Sequence, residues 1–322
     1  MPLNNMRMRS RKKIIYSILF IFFLFLGNEL FLRYYFGFCD ALLYQSSDKY
    51  EYIAQPNQDR YRFGAHILYN CYSQRNEEPD SSKIKILGLG DSVLFGGTWM
   101  DQDSLATTLF SLETGMQMLN ISAGSWGPDN CAAYLKEKGT FDAQAMILVC
   151  SSHDAYDIMS FFPVVGNFPT YPDKQYSLAI CELIDRYLIP RWKMLFAKYS
   201  AKLDPDAAVV KAAQHTSVAK KSVIFDPGFD QLKAISDSLH IPFGIYLHAE
   251  TGELQRGTYN EMGQQICQWT ETNHVALMKG LENGEKAEMY KDIIHFNEKG
   301  QRHLADCLKK MVSELLHKNE NK

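Results

Sequence analysis

The 322-residue sequence has seven cysteines, at positions 39, 71, 131, 150, 181, 267 and 307, and no Cys-x-x-Cys pair among them. That absence removes the spacing of a zinc site or a thioredoxin-like centre. The odd count leaves at least one thiol unpaired within a monomer, and Cys150, which ends an apolar run, reads as a small core hydrophobe. There is no basic stripe outside the first residues, and the net charge is −3, so nucleic acid is not expected as a partner. Alanine does not occur before Ala41, so the small-residue cleavage site of a secretory signal peptide is missing. No internal repeat and no low-complexity tract is present, which excludes a repeat array.

What the N-terminus does hold is a basic cluster, Arg7, Arg9, Arg11, Lys12 and Lys13, followed by an uncharged and mostly apolar run from Ile14 to Gly27. Hydrophobic character extends past Asn28 and Glu29 to Phe38, broken by Arg33. A membrane-spanning helix needs about 20 mostly apolar residues. The reading is a basic cytoplasmic tail at 1–13 and a transmembrane signal anchor at 14–36, with the remainder placed outside the cytoplasm by the positive-inside rule.

Residues 37–82 are polar and aromatic and read as a stalk or irregular lead-in, ending in a linker-like SQRNEEPDSS. The pattern then changes. Lys83–Leu89 is a short β-branched run ending in Gly-Asp-Ser, a buried strand followed by a turn. Ser104–Thr114 reads as helix, Met116–Ile121 as strand, Cys131–Lys138 as helix and Ala145–Cys150 as strand. Residues 156–225 break this rhythm and read as an insertion. Within it Tyr176–Tyr199 is helical and interrupted at Pro190, and Lys202–Lys221 is ambiguous. The insertion is either a substrate-covering lid or a packing helix pair. Regularity returns with Phe229–Leu239 (helix), Pro242–His248 (strand), Asn260–Thr270 (helix) and His274–Lys279 (strand). The chain closes with an amphipathic helix whose Leu304, Leu308, Met311, Leu315 and Leu316 form a core face. Alternating strands and helices predict an α/β domain over 83–318, a parallel sheet with helices on both faces. In such sheets functional groups collect at the C-terminal ends of the strands.

Four motifs fall at those positions. The first is Gly88-Leu89-Gly90-Asp91-Ser92, a strand-to-helix turn that can expose a serine hydroxyl, which needs an adjacent base to become a nucleophile. The second is Asp292-Ile293-Ile294-His295. Imidazole titrates near neutrality, and a nearby carboxylate can fix its tautomer. Read alone, the pair is equally a helix cap and a surface histidine. His66, His215, His240, His248, His274, His303 and His317 have no comparable context and read as solvated or satisfied. The third motif, Asn120 to Pro128, is a small-residue loop that can present backbone N–H groups to an oxyanion, or a plain glycine turn. The fourth, Ser151-Ser152-His153-Asp154, follows a strand directly and can add a side-chain N–H, or simply cap the next turn.

In this chain order the four motifs resemble the sequence blocks of the SGNH/GDSL hydrolase superfamily, over about residues 83–155 and 240–316. The resemblance implies a three-layer α/β fold with a flavodoxin-like parallel sheet. It implies Ser92 as nucleophile and oxyanion-hole donor, Gly124 or, in the other register, Gly127 as a second donor, and His295 and Asp292 as base and orienting acid. His153 stands where the family usually has an oxyanion-hole asparagine. No cofactor and no metal is implied. Ester chemistry follows, on an acylated carbohydrate outside the cytoplasm. An O-acyltransferase, a non-catalytic assembly or binding factor and a membrane lipase remain as alternatives. Trp126, Tyr156, Phe161 and Phe162 are candidates for a sugar-stacking surface or for core packing.

Overall fold

The computed structural model describes residues 3–203 and 222–320. Its helices and strands in chain order are α1 (Leu3–Phe36), β1 (Tyr44–Ser47), β2 (Glu51–Ala54), β3 (Gln58–Arg62), β4 (Ala65–Tyr69), β5 (Lys85–Gly90), α2 (Ser92–Phe95), α3 (Ala106–Thr114), β6 (Gln117–Ser122), α4 (Pro128–Lys138) and β7 (Ala145–Ser151). There follow α5 (Ala179–Glu182), a π-helical stretch (Leu183–Leu188), α6 (Ile189–Leu203), α7 (Gly228–Leu239), β8 (Phe243–His248), α8 (Thr251–Arg256), α9 (Glu261–Thr272), β9 (Ala276–Lys279) and α10 (Glu298–Glu320). Most of the expected stretch 202–221 lies outside the described residues. Those that are described form two compact units: a smaller one of residues 3–41, 61–64 and 174–203, and a larger one of 42–60, 65–173 and 222–320.

The larger unit is built on a five-stranded sheet in the order β6-β5-β7-β8-β9, with every neighbouring pair parallel. Numbered by appearance along the chain, the strands run 2-1-3-4-5, the flavodoxin-like order, whose switch point lies between the first and third strands. Strands buried on both faces read as continuous apolar runs, which is why β5, β7 and β8 stand out in the sequence. Alternate side chains feed two cores. Leu87, Leu89, Met146, Leu148, Ile245 and Leu247 point to one, shared with α4, α7 and α9. Ile86, Ile147, Val149 and Tyr246 point to the other, shared with α3 and with Leu304, Leu308, Met311 and Leu315 of α10. The result is the three-layer α/β fold that the resemblance implies.

Residues 37–82 depart from the lead-in expected of them. They carry four short strands, with Tyr52, Ile53, Ile67 and Tyr69 buried. Tyr52 and Ile53 join the first of the two sheet cores. The start of the supposed linker is also buried: Ser73, Gln74 and Arg75 have little exposure, and Arg75 N–H donates to the carbonyl of Asn120 on the edge strand β6 at 3.0 Å. The physical reason is that the aromatics of this polar stretch need a surface to cover, and β6 offers an open edge.

In the smaller unit, Lys12–Phe36 of α1 is long and apolar enough to cross a membrane. Its Glu29 carboxylate accepts the first amides of α5, Ala179 and Ile180, at 2.8 and 3.0 Å, and pairs with Arg33 at 2.7 Å. Glu182 is fully buried and gathers Arg62, Arg186 and the Cys39 amide. The helix expected to break at Pro190 runs through it. Proline clashes with the carbonyl four residues back, and the wider π turn just before Pro190 relieves that crowding. Residues 174–203 of the expected insertion thus group with the N-terminal helix.

Candidate active site

Ser92 opens α2 directly after β5. Asp91 caps that helix, its Oδ1 accepting from Val93 N–H at 2.8 Å. Gly90 is required by close approach: a Cβ there would lie 2.7 Å from the Val149 carbonyl and 3.0 Å from Leu94. The tight turn therefore packs against β7 and lifts the Ser92 hydroxyl to the rim of the sheet. The loop after α2 is held by Arg75, whose buried guanidinium donates to the carbonyls of Phe95, Gly97 and Met100. Burial holds its pKa below the ordinary guanidinium value.

His295 reaches Ser92 from the loop before α10, with Nε2 at 3.0 Å from Ser92 Oγ. Its Nδ1 lies 2.8 Å from Asp292 Oδ2. The other Asp292 oxygen accepts from the His295 and Ile294 amides at 2.8 and 3.0 Å. Burial alone would raise the Asp292 pKa, but these two amides and the imidazole hold it below the usual carboxylate value. The anion thus fixes Nδ1 as the protonated nitrogen and leaves Nε2 free to take a proton from the serine. Ser92 thus meets His295 and Asp292 in one continuous line of contacts.

The loop is itself anchored by a residue that the sequence reading passed over. His248, at the end of β8, is fully buried and stacks on Tyr290. Its Nδ1 is 2.9 Å from Glu285 Oε1 and its Nε2 is 2.7 Å from the Ile294 carbonyl. Both partners are acceptors, so both ring nitrogens carry protons. Burial opposes that charge, yet Glu285 and the Ile294 carbonyl raise the His248 pKa. Trp99 was also missed. Its ring meets His295 edge-on with centroids 5.4 Å apart, and Lys291 Nζ lies 3.6 Å from the Trp99 centroid.

The two candidate glycines separate clearly. Gly127 N–H is taken by Asn130 Oδ1 at 2.9 Å, and a Cβ at Gly127 would lie 2.2 Å from the Asp157 carbonyl. It serves the start of α4 and cannot also face an oxyanion. The Gly124 carbonyl accepts from Tyr52 and Tyr171, while its N–H makes no hydrogen bond among the described residues. Of the candidate stacking residues, Trp126 is core: it is buried and its indole donates to the Tyr52 carbonyl at 2.8 Å. Tyr156 is half-buried and donates to Gln265, while Phe161 and Phe162 are exposed.

His153 follows β7, across the switch point from Ser92. Its Nδ1 lies 3.2 Å from Glu250 Oε1. Its Nε2 faces Asp154 and Asp91 at 3.6 and 3.9 Å, beyond hydrogen-bond length. Burial lowers its pKa, but Asp154, Glu250 and Asp91 outweigh that and raise it to about 10. Burial, with Asp154 adding to it, raises Asp91 to about 6. The ligand atoms of Asp91, His153 and Asp154 lie within 4.8 Å of one another, a spacing that a cation could bridge. The imidazolium already supplies positive charge there. His153 thus sits among three carboxylates, those of Asp91, Asp154 and Glu250.

No family model and no curated protein matches this chain. Solved structures do. One is a member of the lipolytic G-D-S-L family from Veillonella parvula, at 11% identity over 69% of this chain and 94% of the other, with a TM-score of 0.37. Another is a psychrotrophic esterase from Pseudoalteromonas, at 13% identity, 74% and 99% coverage and a TM-score of 0.38. A third is a carbohydrate acetylesterase family member from Sinorhizobium meliloti, at 9% identity, 73% and 99% coverage and a TM-score of 0.37. The fold is a three-layer α/β fold with a flavodoxin-like parallel sheet. The 2-1-3-4-5 sheet order carries that statement, since likenesses this distant carry no weight on their own.

Proposed function

We propose that the chain is a serine-dependent ester hydrolase that works outside the cytoplasm, a carbohydrate esterase removing acetyl or other acyl groups from surface or exported polysaccharide. The observation that carries this reading is the continuous contact from Ser92 Oγ through His295 to Asp292, at 3.0 and 2.8 Å. Ser92 attacks the acyl carbon while His295 Nε2 takes its proton. The tetrahedral oxyanion is met by the Ser92 and Gly124 N–H groups and by His153. His295 then returns the proton to the leaving sugar hydroxyl, and water repeats the sequence on the acyl-enzyme. None of these steps calls for a metal or an organic cofactor. The anchor helix with its basic N-terminal flank supports the location.

The test is labelling of the full chain with a fluorophosphonate probe, followed by turnover of acetylated sugars, beside Ser92→Ala. The expected result is labelling and acetate release that both disappear in the variant. Acyl transfer to an added sugar in preference to water would make the protein an O-acyltransferase. Absence of labelling and of turnover on any ester would leave a non-catalytic assembly factor. Cleavage confined to long-chain lipid esters would make it a membrane lipase.

A further inference from the structure

The smaller unit presents a second apolar surface besides α1. On α6, Ile189, Trp192, Leu195 and Phe196 are exposed by 39, 60, 64 and 63%. At 100° per residue these four fall within about 120° of the helix circumference, the width of an amphipathic stripe. Exposed Arg191 and Lys193 flank the stripe on its two sides. The α6 sequence holds four basic residues and no acidic one. In water such a stripe is costly, because uncovered apolar surface forgoes the gain of burial.

We propose that α6 is an interfacial helix that lies in the head-group layer of the membrane, with Trp192 and Phe196 in the acyl region and Arg191 and Lys193 on anionic lipid phosphates. The proposal rests on the reading of α1 as a membrane span. Continuity with α1 argues for lipid as the occupant. Glu29, inside the apolar segment of α1, binds the first amides of α5, and α5 runs through the π stretch into α6 without a break. The stripe therefore starts ten residues from that attachment, about 15 Å along a helix. Charge argues the same way, because anionic head groups attract a helix with basic flanks. Trp and Phe on one side with Lys and Arg at the margins is the composition of helices that lie on a bilayer.

The experiment uses the full chain reconstituted in vesicles of phosphatidylcholine and phosphatidylglycerol, with and without bromine on the acyl chains. Subtracting the Trp192→Phe spectrum isolates Trp192 emission. The expected result is a blue-shifted Trp192 signal that loses most of its intensity to brominated lipid and little to aqueous iodide. Quenching by iodide and not by lipid would place the stripe in water and overturn the proposal. Quenching by neither would mean that protein covers it, whether residues 204–221 or a second copy, and would overturn it equally. A chain that fails to float with the vesicles on a density gradient would instead refute the α1 anchor, an outcome distinct from either.

Discussion

His248 and Glu285 form a buried ion pair, Nδ1 to Oε1 at 2.9 Å, and the same imidazole holds the Ile294 carbonyl at 2.7 Å. Ile294 lies between Asp292 and His295, so the pair sets the backbone on which those two side chains are mounted. Breaking a buried pair by removing one partner costs about 3–5 kcal/mol. His248→Gln is expected to lower stability by that order, and to reduce turnover in the protein that still folds. Unchanged kcat in a folded variant would show that the loop holds itself.

The same pair has a pH signature. The raised His248 pKa contributes stability that is complete below its ordinary value of 6.5 and is lost as pH rises through the folded value. The Glu285 pKa is lowered despite its burial, because His248 and the Tyr246 and Tyr290 hydroxyls stabilise the anion; its contribution is present above 4.5 and is lost as pH falls through the folded value. Thermal unfolding across pH should show the wild-type advantage over Glu285→Gln greatest between these limits. A flat difference would mean that the pair does not titrate with folding.

Asp292→Asn should preserve the loop amide contacts through the remaining oxygen while removing the charge that selects the Nδ1 tautomer. Turnover is expected to fall by about 10⁴-fold, with substrate binding little changed. Steady-state kinetics on a chromogenic ester would show this. A loss below tenfold would mean that His295 is oriented by other groups.

His153→Asn tests the proposed oxyanion-hole role of His153. The asparagine keeps a side-chain N–H donor, yet it leaves Glu250, Asp154 and Asp91 without their cation. We expect lower stability and lower turnover. The stability difference from wild type should be complete below pH 6.5 and vanish as pH rises through about 10, where the raised His153 pKa lets the proton go. Higher activity in the variant would show that the imidazolium is not part of the hole.

Arg75→Lys should be poorly tolerated, since one ammonium cannot reproduce a fork that serves Phe95, Gly97 and Met100 together. Each carbonyl left without a donor costs about 1–3 kcal/mol. Calorimetry should show a lower Tm, and hydrogen exchange should rise in the segment 95–100 that carries Trp99. Protection equal to wild type would remove Arg75 from the account of this loop.

The sheet strands were legible because strands buried on both faces must be apolar over their whole length, a property of neighbouring residues. The triad was legible for a related reason. Asp292 and His295 sit three residues apart in one loop, and Ser92 marks its turn with Gly90 and Asp91. Residues 37–82 were not legible, because short strands that pair only with one another need few apolar positions and leave a polar-looking stretch. Gly124 and Gly127 could not be told apart in sequence. The difference lies in which N–H is already taken, and Asn130 takes that of Gly127. Arg75, His248 and Trp99 carry no local signal either. Their partners stand 20 or more residues away, or in another loop, and a side chain's role there is set by the groups that surround it. The sequence by itself determined the layer order and pointed to three side chains that the fold brings into contact. Tertiary structure alone decided what holds them in place and what charge stands opposite the serine, because burial and pairing across the fold set both.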